Sequence, residues 1–198
     1  MAALLVPSLV LAGVLVAATL RGPLPLNLVV SGQDLKLTSN GGTVELPQGL
    51  TLYPSTIKMK NGGANRGVMI AGLPEAVLTK GLCISLVLTF PMAGTYTVRL
   101  HTDGRTTARD MTLDAAGMNV GLAELNPGGS GSNRIPINIG GPSADSSSDG
   151  FGIAAPGAGS LGALRADAQG AVIAGSVHLA GLKVQLNRGS GITNGECY

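Results

Sequence analysis

The chain has 198 residues, of which 44% are hydrophobic and only 12% are charged, and its 13 Lys and Arg against 11 Asp and Glu leave a net charge of +2. Because ordinary soluble domains carry about 25% charged residues, the composition favours a fold of small and aliphatic side chains, and its apolar content excludes a chain that is disordered throughout. Nucleic acid is excluded as a partner, since three Tyr, two Phe and no Trp offer few stacking platforms and the near-neutral charge offers no basic surface.

The first predicted element is an almost continuous apolar run over residues 1–20. Its length is close to the roughly 20 residues that span a bilayer. We expect either a membrane anchor or a signal peptide, the latter cleaved among Val16, Ala17 and Ala18. No basic side chain precedes the run, which is unusual for an export signal. A buried core helix is a weaker alternative, because no polar face interrupts the run.

Residues 21–25 predict an extended linker, because Pro23 and Pro25 fix their own φ and move the preceding residues out of the helical region. A β-domain is expected over residues 26–198. Alternating apolar and polar residues predict short strands, with turns at the two Asn-Gly-Gly sequences. The predicted early strands are 26–30, 35–38, 43–46, 50–53, 56–59, 68–70 and 76–78, and the turns are 40–42 and 61–63.

The middle of the chain supplies a candidate central strand and a candidate hairpin. Residues 83–90 are nearly all apolar, which favours a strand buried on both faces. Residues 95–101 alternate, and Asp103-Gly104 then predicts a tight turn that pairs them with 106–113. A further strand is expected at 118–122.

Residues 126–163 are rich in Gly, Ser and Pro and predict a long loop, either a mobile flap or a functional surface, with one edge strand at 135–139. Strands at 171–173, 177–179 and 182–186 are expected to close the domain. The predicted fold is therefore all-β, mainly an antiparallel sheet or sandwich of short strands with an N-terminal hydrophobic helix. A β-solenoid-like stack is the alternative, since short motifs recur without a fixed period.

The two cysteines, Cys83 and Cys197, lie mid-chain and next to the last residue. In an oxidising compartment they could pair and fasten the C-terminal tail to the core. The alternative is a pair of buried thiols.

One set of residues allows an esterase hypothesis. Ser160 lies in an approximate nucleophile-elbow sequence, and Asp167 and His178 follow in the chain order of α/β-hydrolases. The context is wrong, because the elbow must join a strand to a helix on a parallel sheet. We therefore predict no catalytic residues and keep the serine esterase as a minor alternative.

The sequence also predicts no metal site and no cofactor. His101 and His178 are the two imidazoles, and neither has partners at the spacing of a zinc site. Asp145 and Asp149 bracket three serines without the ligand pattern of a calcium loop. The Gly-rich stretches lack the Gly-Lys-Ser/Thr ending of a phosphate-binding loop.

Three stretches, 29–36, 68–83 and the ending Glu196-Cys197-Tyr198, resemble an uncharacterised actinobacterial envelope family. Its members share an N-terminal hydrophobic segment and a two-cysteine β-domain, and they often carry a cholesterol esterase label without an evident catalytic motif. The resemblance implies that Cys83 pairs with Cys197.

We expect a non-enzymatic, exported domain that residues 1–20 tether to the cell membrane on its outer side, or that is secreted if they are cleaved. Low charge and aliphatic side chains favour an apolar groove that binds a lipid or an integral membrane partner. A second hypothesis is structural, with homo-oligomers assembling through the N-terminal helix and open strand edges.

Overall fold

The computed structural model describes residues 28–57, 66–125, 133–140, 153–173 and 175–198. The apolar run, the linker, the turn at 61–63, Asp145 and Asp149 lie outside the described residues. Within the described ranges, no helix combines the length and the apolar character needed to cross a bilayer.

Thirteen strands and one 3-10 turn make up the regular structure of the described residues. The strands are β1 (Leu28–Thr38), β2 (Val44–Leu46), β3 (Gly49–Ile57), β4 (Arg66–Leu78), β5 (Cys83–Phe90), β6 (Gly94–His101), β7 (Thr106–Leu125), β8 (Asn133–Gly140), β9 (Ile153–Pro156), β10 (Gly159–Leu161), β11 (Leu164–Ile173), β12 (Val177–Leu179) and β13 (Lys183–Arg188), and the 3-10 turn is Ile192–Asn194. This confirms the predicted all-β class.

Every pairing among these strands is antiparallel, and together they form one sheet. The β-solenoid alternative is wrong, because successive turns of a β-solenoid stack in parallel. The strand order is β13-β6-β5-β1-β11-β7-β10-β2-β4-β3-β9, with β8 and β12 also paired to β7. Among the described strands, β13 and β9 stand at the two ends of this path.

The 20-residue strand β7 organises the sheet, because it pairs with β4, β8, β10, β11 and β12 along its length. The additional β4–β7 pairing closes a cycle through β10 and β2. Alternate residues of these strands point to one side, as the pleat requires. They form the apolar core, which includes Leu35, Leu37, Leu52 and Leu113.

The predicted hairpin between 95–101 and 106–113 is wrong. β6 pairs with β5 and β13, while β7 starts against β4 and β12. A type I′ turn needs positive φ at both central residues, and neither Asp103 nor Gly104 has it. The hairpin forms instead between β5 and β6, where Gly94 has φ 90.

Two further elements differ in part from the prediction. β5 has the predicted bounds and lies inside the sheet between β6 and β1, but only its first half is buried. Residues 126–132 and 141–152 of the predicted loop 126–163 lie outside the described residues. The rest of this segment supplies three strands, β8, β9 and β10, where one strand at 135–139 was predicted. Its Gly, Ala and Ser residues have low strand propensity, but pairing with neighbours on both sides holds β10 in the sheet.

Candidate functional site

The strands β5, β6 and β13 form one side of the sheet, which we call the outer wing. The register places Leu186 opposite Val98, and Val98 opposite Leu86. A second row runs from Val184 through Leu100 to Ile84. Side chains opposite each other in antiparallel strands lie on the same face, so these rows form one continuous apolar face.

This apolar face begins in the core and ends in solvent. Ile84 is 2% exposed and packs in the core, and Leu86 and Leu100 are partly buried against it. Farther out, Phe90 is 48%, Val184 51% and Leu186 66% exposed. Contiguous exposed apolar surface on a soluble domain marks a contact site for a protein or a membrane.

The tip of the β5–β6 hairpin continues the apolar face. Met92, in the hairpin loop, is fully exposed. The Phe90 and Tyr96 rings meet edge to face with centroids 6.2 Å apart. Arg188 pairs with Tyr96 in the register, so a basic side chain lies on the same face near the tip. An aromatic pair beside an exposed methionine and a basic residue is typical of surfaces that meet a membrane interface.

The opposite face of the outer wing is polar, and the C-terminal tail covers it. Ser85, Lys36 and Asp167 are direct cross-strand partners on β5, β1 and β11. The Cys197 N–H donates to Ser85 Oγ at 3.1 Å, and the Tyr198 hydroxyl donates to Asp167 Oδ1 at 3.1 Å. The tail therefore lies across three neighbouring strands.

Lys36 is the central contact of the tail. Its Nζ lies 2.5 Å from Glu196 Oε2 and donates to the main-chain oxygen of Tyr198 at 3.0 Å. It also lies 5.3 Å from the centre of the Tyr198 ring, and Arg165 lies at 5.4 Å from the same centre. Two cations over one ring, with a carboxylate beside them, hold the tail in place.

These contacts shift two pKa values. The hydrogen bond from Lys36, together with that from the Gly191 backbone N–H, holds the pKa of Glu196 below its ordinary value. Burial, and then the negative charge of Asp167, raises the pKa of the Tyr198 hydroxyl above its usual range. Tyr198 therefore stays a neutral hydrogen-bond donor at physiological pH.

Cys83 and Cys197 form a disulfide whose Cα atoms are 5.9 Å apart. This confirms the pairing predicted between them. The bond joins the first residue of β5 to the tail, on the polar face of the outer wing. Arg99, the cross-strand partner of Ser85 and a diagonal neighbour of Cys83, donates from its Nε to the Cys83 sulfur at 3.3 Å.

The structure does not bring the three esterase candidates together. Ser160, Asp167 and His178 pair with residues 124, 117 and 107 of β7, respectively. At roughly 3.3 Å per residue these positions are about 23 and 33 Å apart along the strand, whereas a triad needs contacts near 3 Å. Ser160 also lies within a strand that β2 and β7 flank, and not at a strand-to-helix turn.

The two histidines lie in different places. His101 Nε2 is 2.7 Å from Asp103 Oδ1, and Lys183 Nζ is 2.5 Å from the other Asp103 oxygen. These contacts, with Lys183 first, hold the pKa of Asp103 below its usual range. His178 is exposed on β12. Within the described part of the chain, no three His, Cys, Asp or Glu side chains converge on one point.

The core contains a cavity of about 10 Å³ among leucines that include Leu52, Leu73 and Leu113. This volume corresponds to about one water-sized probe, which is far less than an acyl chain occupies. The cavity is therefore no lipid pocket.

Sequence reasoning missed both the apolar face and the Lys36 contacts. The apolar face could have been predicted, because residues 86–98 contain no charged side chain. The partners of Lys36 could not, since its hydrogen bond to Tyr198 joins positions 162 residues apart and no local sequence pattern indicates it.

The comparisons relate the chain to a family and not to an individual protein. Residues 31–198 match the family of unknown function DUF6230. No curated protein and no solved structure matches the chain.

Proposed function

Since the chain belongs to DUF6230, a family of unknown function, we propose its function from its own residues. It is a non-enzymatic domain of the cell envelope, exported and held at the outer side of the membrane by residues 1–20, where it binds a lipid or a membrane partner. The observation that carries this proposal is the Cys83–Cys197 disulfide. Disulfides persist in oxidising compartments and are rare in the cytosol. The resemblance to actinobacterial envelope proteins points the same way.

The disulfide stabilises the fold and does not join two loose ends. It spans 114 residues, and the chain-entropy model gives about 4 to 5 kcal/mol for a loop of that size. Its neighbours, the Ser85 and Lys36 contacts, order the tail on the same face. A disulfide whose neighbouring residues are ordered by hydrogen bonds on both sides is typical of a structural disulfide in an exported domain.

The proposal gives the domain no catalytic role. Ser160, Asp167 and His178 are held apart by the register of β7. His101 is engaged with Asp103, and Asp103 with Lys183. The apolar face of the outer wing supports binding instead.

Binding is favoured over assembly through strand edges. β13 is an edge of the sheet that the described strands form, and Lys183 and Arg188 stand at its two ends. Charged residues, Lys above all, discourage edge-to-edge pairing in natural sheets.

The first experiment measures the intact mass of the protein from membrane and culture fractions, alkylated with and without prior reduction. We expect a full-length chain in the membrane fraction that takes up no alkyl group until it is reduced, and two afterwards. Alkylation of both cysteines without reduction would overturn export. A soluble chain starting near Thr19 would overturn the anchor and leave a secreted module.

A matched control is the Cys83→Ser variant from the same fractions. It leaves Cys197 without its partner, so one alkyl group must attach without reduction. This shows that the reagent reaches the site, and that protection in the wild type comes from the disulfide.

A further inference from the structure

We propose that the apolar face of the outer wing, led by the β5–β6 hairpin tip, rests on the surface of a bilayer that contains anionic lipid. The inference rests on the proposed function, because it names the partner and the surface that meets it. Its occupant is the lipid interface itself, with Met92 and Phe90 among the acyl chains and Arg188 at the headgroups.

The sheet register puts this tip at the end where the chain enters the fold. β1 and β5 are antiparallel, with Leu35 opposite Leu86 and Thr38 opposite Cys83. β1 therefore begins at the end of the sheet where β5 finishes, at Phe90. The first described residue, Leu28, therefore lies at the end of β1 that faces the same way as the hairpin tip.

The length of the preceding chain limits how far the tip is from the membrane. Residues 21–27 separate the apolar run from β1 and span at most about 25 Å when fully extended. An anchor made by residues 1–20 therefore keeps the tip end of the outer wing close to the lipid surface. Contact with lipid then costs little additional entropy, because the tether has already confined the domain.

The charges of the outer wing suit an anionic surface. Residues 86–98 carry no charge, and no Asp or Glu occurs between 168 and 195. The charged residues of the three strands, Arg99, Lys183 and Arg188, are all basic. Arg188 lies on the apolar face, whereas Arg99 and Lys183 lie on the polar face, where Lys183 pairs with Asp103. Arg188 is therefore the basic residue that these strands present beside the apolar side chains, and an anionic leaflet attracts it.

A second copy of the chain fits the same face less well. Two outer wings joined face to face would bring Arg188 and its copy into one apolar contact without an acidic partner from either wing. Burying charges without partners is costly. The lipid interface avoids this cost, because Arg188 can extend to the phosphates.

The absence of Trp from the sequence allows a direct test with single-Trp variants of the full chain. Met92→Trp places the reporter at the tip, and Lys80→Trp places it in the β4–β5 turn at the opposite end of β5. Each is reconstituted into vesicles of phosphatidylcholine and phosphatidylglycerol, with and without brominated phosphatidylcholine as a quencher. We expect Met92→Trp to show blue-shifted emission and severalfold stronger quenching than Lys80→Trp.

A second pair of variants tests the face and leaves the hairpin intact. Leu186→Trp and Gln185→Trp are neighbours on β13 with side chains on opposite faces, and both positions are exposed. We expect strong quenching of Leu186→Trp and weak quenching of Gln185→Trp. Both pairs can also be compared in vesicles of phosphatidylcholine alone, where weaker quenching is expected because anionic lipid is missing.

The outcomes separate this inference from the proposed function. Equal quenching within both pairs, in chains that still float with the vesicles, overturns the lipid contact and leaves the anchored domain standing. A blue shift of Met92→Trp that grows with protein concentration and needs no vesicles also overturns it, in favour of a second copy. Chains that fail to float contradict both proposals.

Discussion

Gly81 shows how a single backbone position fixes the β4–β5 turn. Its φ is +85, and an added Cβ would lie 2.2 Å from the Thr102 carbonyl oxygen. The Thr102 hydroxyl also accepts a hydrogen bond from Leu82 N–H at 2.7 Å. Gly81→Ala therefore adds a steric clash to the cost of a left-handed alanine, and we expect it to lower the free energy of unfolding by about 3 kcal/mol or more. Urea denaturation followed by far-UV circular dichroism measures the loss.

Gly41→Ala is the matched control. Gly41 also has a positive φ, +71, but an added Cβ meets nothing within 4 Å. Only the backbone cost remains, about 1 to 2 kcal/mol. Equal losses in the two variants would mean that the contact with Thr102 relaxes freely.

At the scale of elements, local signals predicted some strands well and their partners poorly. β5 and β12 have the predicted bounds: an apolar run marks β5, and Gly175 and Gly181 lie on either side of β12. The predicted pairing of β6 with β7 was wrong, because β6 pairs with β5 and β13. Strand pairing depends on which distant strand completes the core and not on the turn alone. β10, with the sequence Gly-Ser-Leu, has no alternating pattern that predicts a strand. It is a strand because it pairs with β2 on one side and β7 on the other.

The C-terminal tail has an expected pH dependence. The hydrogen bond from Lys36 is the main reason that the pKa of Glu196 lies below its ordinary value of 4.5. The charged carboxylate therefore stabilises the folded state above pH 4.5. This contribution is lost as the pH falls through the lowered pKa. We expect Glu196→Gln to cost about 1 to 3 kcal/mol at pH 7. In denaturation curves from pH 7 to pH 3, the gap between wild type and variant should narrow. A constant gap would show that the charge does not stabilise the tail.

At the scale of the molecule, stability should decrease from β7 towards the open edge. β7 pairs with five strands, whereas β13 pairs with β6. Core segments exchange their amide hydrogens only by global opening, while edges open locally. We expect amides near Leu113 to exchange slower than those of β13 by a factor on the order of 100 or more. Hydrogen exchange with mass spectrometry measures both, and uniform rates would contradict the gradient.

The position of the disulfide in the chain sets the order of events during biosynthesis. Cys83 is synthesised 114 residues before Cys197, and all thirteen strands precede the second cysteine. Chains are synthesised from the N-terminus and begin to fold as they emerge. The Cys83 thiol therefore cannot pair with Cys197 until all thirteen strands have been synthesised. Closure then requires the tail to reach the polar face of a sheet that has already formed. Formation of the Cys83–Cys197 bond therefore requires β5 and the C-terminal tail to have reached their native positions.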